Sequence, residues 1–135
     1  MRGHALLEHT ADVVLEAWGG SFEDVVTAAL AGLAEAALGE VPRQRSPAAW
    51  RPVVPSSEDP VLAAVELLNE ALFLLTVRGE LPVAYRGGPG GGELGTAPCP
   101  PAARPVREIK AVTYADPRCA PEAGGTWRLR VTLDL

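Results

Sequence analysis

The apolar positions of this chain change period several times, and each change marks an element. Residues 4–10 (HALLEHT) and 12–18 (DVVLEAW) read as two strands joined by a very tight connection. In the second, Val13, Leu15 and Ala17 fall on one face, and Val14, Glu16 and Trp18 on the other. Gly19 and Gly20 end it. Ser21 then stands as an N-cap with Asp24 three residues on. From Phe22 the period becomes helical, through Val25, Val26, Ala29, Leu30 and Leu33, and Gly39 is the natural stop. Residues 40–59 read as a prolyl loop in which Trp50 to Val54 can form a strand, kept at an edge by Pro52. Asp59-Pro60 opens a second helix, an acidic cap followed by proline at the first helical position. That helix is expected to run to about Val77 and to be buried on most of its surface, since Leu67, Leu68 and Leu74 widen the face made by Leu62, Val65, Leu72 and Leu75.

The second half is read as strands. Residues 81–86, 107–114 and 126–134 have strand character. In the last, Trp127, Leu129, Val131 and Leu133 alternate with Arg128, Arg130, Thr132 and Asp134. Residues 87–105 are rich in Gly and Pro and are expected to be a mobile hairpin connection with room for one weak strand. The order has no βαβ alternation throughout. It predicts one α+β domain over residues 1–135: a two-layer sandwich of a mainly antiparallel mixed β-sheet with two α-helices packed on one face.

Composition narrows the function classes. The 135 residues are 47% apolar and 21% charged, which suits a globular chain with a real core. The net charge of -5 argues against direct nucleic-acid binding or an anionic membrane surface, both of which need basic patches. Cys99 and Cys119 are too few for a disulfide scaffold or a structural zinc site. The longest apolar stretch, Val61 to Val77, is interrupted by Glu66, Asn69 and Glu70 and is too short for a membrane helix. With no export signal at Met1-Arg2-Gly3-His4, a cytoplasmic location is expected.

Few residues stand out chemically. His4 and His9 are five apart on a strand and point to opposite faces, and His9 reads as structural. The glycine run at 87–92 lacks the ending of a phosphate loop and opens no helix. Cys119 beside Arg118 could have a lowered pKa, though an incidental thiol is the simpler reading. Asp12 lies between two apolar strands, where it must either close an Asx-type turn or meet a cation. Asp134 is next to last, so its side chain and the α-carboxylate of Leu135 lie within a few ångströms of each other. Either this is a solvated strand end, or the repulsion is relieved by a hard divalent cation. Lys110 is the lone lysine among twelve basic residues. It reads as an edge-strand gatekeeper, or as a place where a compact ammonium is needed and a guanidinium would not fit.

Three segments together resemble the archease family: His9-Thr10-Ala11-Asp12 with its strand, Glu108 to Tyr114 (EIKAVTY), and Trp127 to Leu135 with Asp134 next to last. The order between them fits as well, including a second helix with Leu67-Leu68-Asn69-Glu70, so the resemblance spans residues 4 to 135. It implies a two-layer α/β sandwich and a non-enzymatic role. It also implies a metal-binding accessory protein that activates an RtcB-type RNA ligase in tRNA splicing and RNA repair, promoting guanylylation of the ligase and multiple turnover. By the same resemblance Asp12, Asp134 and the C-terminal carboxylate of Leu135 hold a divalent metal ion, with Lys110 close by as a partner or nucleotide contact. Oxygen ligands alone favour Ca²⁺, Mg²⁺ or Mn²⁺. The chain departs from the family at residues 87–105, the loop that could meet a ligase. Two other functions fit the sequence: a chaperone-like or scaffold module that needs no metal, and a metal hydrolase, for which no general base is evident unless His9 or Glu8 approaches the carboxylates.

Overall fold

A computed structural model describes residues 1–8, 12–43, 46–99 and 106–135. Its elements run β1 (Gly3–Glu8), β2 (Asp12–Gly19), α1 (Phe22–Leu38), β3 (Ala49–Val53), α2 (Pro60–Thr76), β4 (Glu80–Gly88), β5 (Gly91–Pro98), β6 (Ala111–Pro121) and β7 (Trp127–Asp134). The result is an α+β sandwich, and every strand pairing is antiparallel. The strands divide between two sheets, one of four strands in the order β1-β2-β7-β6 and one of three in the order β3-β5-β4.

The helices begin and end where their capping residues place them. Ser21 Oγ accepts the Asp24 N–H at 3.0 Å, and α1 stops at Gly39, whose φ of 85° suits a residue without Cβ. Asp59 Oδ1 accepts the Val61 N–H at 2.9 Å, with Pro60 opening α2. Helix α1 packs on β1, β2 and β7 of the larger sheet and on β4 of the smaller one, while α2 packs on β6 and β4. The approach of α1 to the sheet is close. A Cβ at Gly32 would lie 2.3 Å from Leu15 Cδ1, so glycine makes room for the strand below it. Phe22 joins the sheets through edge-on contacts with Tyr85 of β4 at 6.1 Å and Trp127 of β7 at 5.9 Å. Leu15, Leu30, Leu33, Leu67, Leu68, Leu94, Leu129 and Leu133 are almost fully buried in the shared core.

Two expectations are corrected. The stretch 87–105 is not a mobile connector over its first half. Pro89 and Gly90 form a turn, β5 follows at once, and Leu94 is fully buried. The strand expected at 107–114 starts at Ala111 and continues to Pro121, past a register shift between Thr113 and Arg118. Asp116 lies in that irregularity with a φ of 48°.

One helix side chain caps the outer edge of each sheet. β6 is an edge strand, so the backbone groups of Val112 that point away from β7 have no strand partner. The Asn69 amide supplies both partners: Nδ2 donates to the Val112 carbonyl at 2.8 Å, and Oδ1 accepts the Val112 N–H at 2.9 Å. The smaller sheet has the same arrangement at Tyr85 of β4. Its N–H donates to Thr27 Oγ1 at 3.1 Å, and Thr27 Oγ1 donates to its carbonyl at 3.3 Å.

Candidate metal centre

Four strand ends meet at one end of the larger sheet. β1 finishes there at Glu8 and β2 begins there at Asp12, while β7 finishes there at Asp134 and β6 begins there at Ala111. The pattern of Val13, Leu15 and Ala17 against Leu133, Val131 and Leu129 sets the register, because all six must turn inward to the core. That register makes Asp12 and Asp134 directly opposed, the terminal pair of the β2–β7 ladder. Opposed residues of an antiparallel pair put their side chains on the same face, with Cβ atoms about 4.5–5.5 Å apart. The two carboxylates therefore project side by side from the outer face.

The neighbouring residues hold this end in place. Lys110 N–H donates to the Asp134 carbonyl at 2.7 Å, so Lys110 lies just ahead of β6 rather than in the middle of a strand, and it is exposed. Leu135 packs its side chain against the core, which anchors the end of β7. Asn69 fixes Val112, two residues after Lys110. A cleft of about 580 Å³ opens beside Lys110, lined by Thr76, Val106, Arg107, Glu108, Ile109 and Lys110.

The donor set suits a hard cation. Among the described residues Asp12 and Asp134 enter no ion pair, so no described arginine neutralises their charges. No three His, Cys, Asp or Glu side chains among the described residues gather as a metal cluster. The described side chains thus bring two carboxylates, and Leu135 follows Asp134 directly in the chain. His9, Thr10 and Ala11, including the histidine read as structural, lie outside the described residues, as does the turn in which Asp12 could act as a cap.

Other candidates fall away from this end. His4 faces α1, where its Nε2 meets Glu35 Oε1 at 2.5 Å. Burial, with the Asp59 carboxylate adding to it, pushes the Cys119 thiol up to about 12, while exposed Arg118 pairs with Asp116 at 3.6 Å. The thiol is therefore inert, and the lowered pKa considered from its sequence neighbour does not arise. Asn69 is the residue whose role the sequence did not disclose. Its one signal was an amide in line with Leu62, Val65 and Leu72 on the apolar face of the second helix, where a polar group needs a partner.

An α+β sandwich with two opposed carboxylates at the end of its central strands is a small domain with a cation-compatible rim. Comparison with known proteins is specific. Residues 4–135 match the sequence profile of the Archease protein family (MTH1598/TM1083), and the chain belongs to that family. It is similar to protein 1598 of Methanobacterium thermoautotrophicum, known from a solution structure, with a TM-score of 0.66 and 25% identity over 98% of this chain and 99% of that one. No curated protein matched the sequence. Among the described residues no helix is long and apolar enough to cross a membrane.

Proposed function

We propose that this protein is a non-enzymatic accessory factor that activates an RtcB-type RNA ligase, and that it holds a divalent cation through Asp12, Asp134 and the α-carboxylate of Leu135. Family membership supports the accessory role. The observation that carries the cation site is the register pairing of Asp12 with Asp134. Facing carboxylates repel, and a Ca²⁺, Mg²⁺ or Mn²⁺ ion between them turns that repulsion into coordination. The bound ion would supply a concentrated positive charge able to attract phosphate oxygens. This chain's own part is to present the ion at an exposed sheet end, where a partner's active centre could reach it. Lys110, exposed beside Asp134, would add a second positive charge for a partner or a nucleotide. The protein's acidity fits a division of labour in which the ligase holds the RNA.

The test is a multiple-turnover RNA ligation assay with the RtcB-type ligase of the same cell. The intact protein should raise guanylylation of the ligase, and folded Asp12→Ala and Asp134→Ala variants should not. Equal stimulation by the aspartate variants would favour a metal-independent scaffold. No stimulation by the intact protein would remove the ligase from the proposal.

A further inference from the structure

We infer that the Glu8–Arg107 ion pair is a positioning latch for the carboxylate pair; this rests on the cation-site reading above. Glu8 is the last residue of β1, four residues before Asp12. Arg107 is three residues before Lys110, and its Nη2 bonds Glu8 Oε1 across 99 positions of sequence.

The segment that carries Arg107 is itself well anchored. Val106 N–H donates to the Ala37 carbonyl at 2.8 Å, Ile109 is buried, and Lys110 N–H donates to Asp134. These contacts tie the segment to α1, to the core and to β7. Arg107 is the residue that carries it on to β1, so one ion pair ties both ends of the site together. Asp12 and Asp134 form the last rung of their ladder, where strands fray most readily. Holding Glu8 restrains Val13, its ladder partner and the neighbour of Asp12, and with it the spacing of that last rung. The pair is exposed, 34% for Arg107 and 63% for Glu8, so it contributes little to global stability. Its effect belongs at the site.

The latch and simple electrostatics predict opposite signs. Replacing Arg107 by glutamate removes a positive charge and adds a negative one near the cation, which by Coulomb's law alone tightens binding. If Arg107 is a latch, the same change sets Glu8 against a second carboxylate, loosens the Glu8–Val13 end of the β1–β2 ladder and weakens binding.

The experiment titrates the full chain with Mn²⁺, counting the free ion by electron paramagnetic resonance and checking each fold by circular dichroism. Arg107→Glu should bind about two- to five-fold more weakly, the range an exposed pair can carry. The swap Glu8→Arg with Arg107→Glu should restore affinity, since it rebuilds the pair at constant net charge. Arg107→Lys should stay near the parent, because a single contact does not need a guanidinium fork. Equal or tighter binding by Arg107→Glu, or failure of the swap, overturns the latch. If Arg107→Glu does not fold, the swap and Arg107→Lys decide alone, and a loss in either overturns it. Absence of Mn²⁺ binding in the parent protein overturns the cation site itself, and the latch with it.

Discussion

Replacing Asn69 by leucine isolates the contact that fixes the strand beside the site. The side chain makes three hydrogen bonds: two to the backbone of Val112, and one from Nδ2 to the Val65 carbonyl of its own helix at 3.1 Å. The Val65 carbonyl keeps its helical role in the variant. The Val112 N–H and carbonyl, at a residue only 2% exposed, lose their partners. Each buried group left unpaired costs about 1–2 kcal/mol, so Asn69→Leu should destabilise by about 2–4 kcal/mol despite its better helix propensity. At roughly 3 °C per kcal/mol for a domain of this size, that is a fall in Tm of about 6–12 °C. Urea unfolding followed by circular dichroism measures the loss, and the slope of free energy against urea should stay unchanged. Hydrogen exchange gives the local readout, with the Val112 amide losing protection more than its neighbours. A loss under about 0.5 kcal/mol with Val112 still protected would refute the reasoning, because it would mean that water satisfies this edge as well as Asn69 does.

Three further outcomes follow from other parts of the molecule. With chelator present, Asp134→Asn should leave the protein as stable or up to about 1 kcal/mol more stable, since like charges opposed across strands repel, while Mn²⁺ affinity falls; paired unfolding and titration experiments check both signs. The Arg51 guanidinium, bonded to Glu80 through two nitrogens at 2.5 and 2.6 Å, holds the Glu80 carboxyl below the usual carboxylate range. Its folded pKa is the lower one, so its stabilisation is present above about pH 4.3 and is lost as pH falls through the depressed value; Glu80→Gln should flatten acid unfolding between about pH 5 and 3. Cys119 should resist alkylation at pH 8 in the native protein and react only on unfolding, whereas partly exposed Cys99 is labelled first; mass spectrometry of timed samples distinguishes them.

Much of the architecture was legible because local signals agreed. Ser21, Gly39, Asp59 and Pro60 mark helix ends by backbone chemistry that needs no tertiary context. The alternation in β7 placed Leu129, Val131 and Leu133 inside and put Asp134 on the outer face. The second strand of the β4–β5 hairpin was read only as a weak strand in a mobile connection, because its glycines resemble a linker. They serve close approach instead: a Cβ at Gly92 would lie 2.2 Å from the Arg86 carbonyl, and one at Gly95 would meet Pro47 and Trp50 within 3.0 Å. The extent of β6 was missed as well. Asp116 and Pro117 sit in a register shift that the strand passes through, and the strand pattern was read no further than Tyr114. Asp12 and Asp134 could be picked out as unusual carboxylates from sequence. That they share one rung depends on a pairing across more than a hundred residues, which no local signal encodes.

The place of β7 in the larger sheet has a consequence in time. It is the last strand in the sequence, yet it lies between β2 and β6. A chain emerging from the ribosome can form the β1–β2 hairpin and both helices early, but β2 must wait for its inner neighbour until β7, more than a hundred residues later, is made. Asp12 therefore gains its opposing carboxylate only once β7 has been made. A chain stopped before β7 would carry an unpaired inner strand and half of the paired carboxylates, so a defective product would fail in folding and in cation binding together.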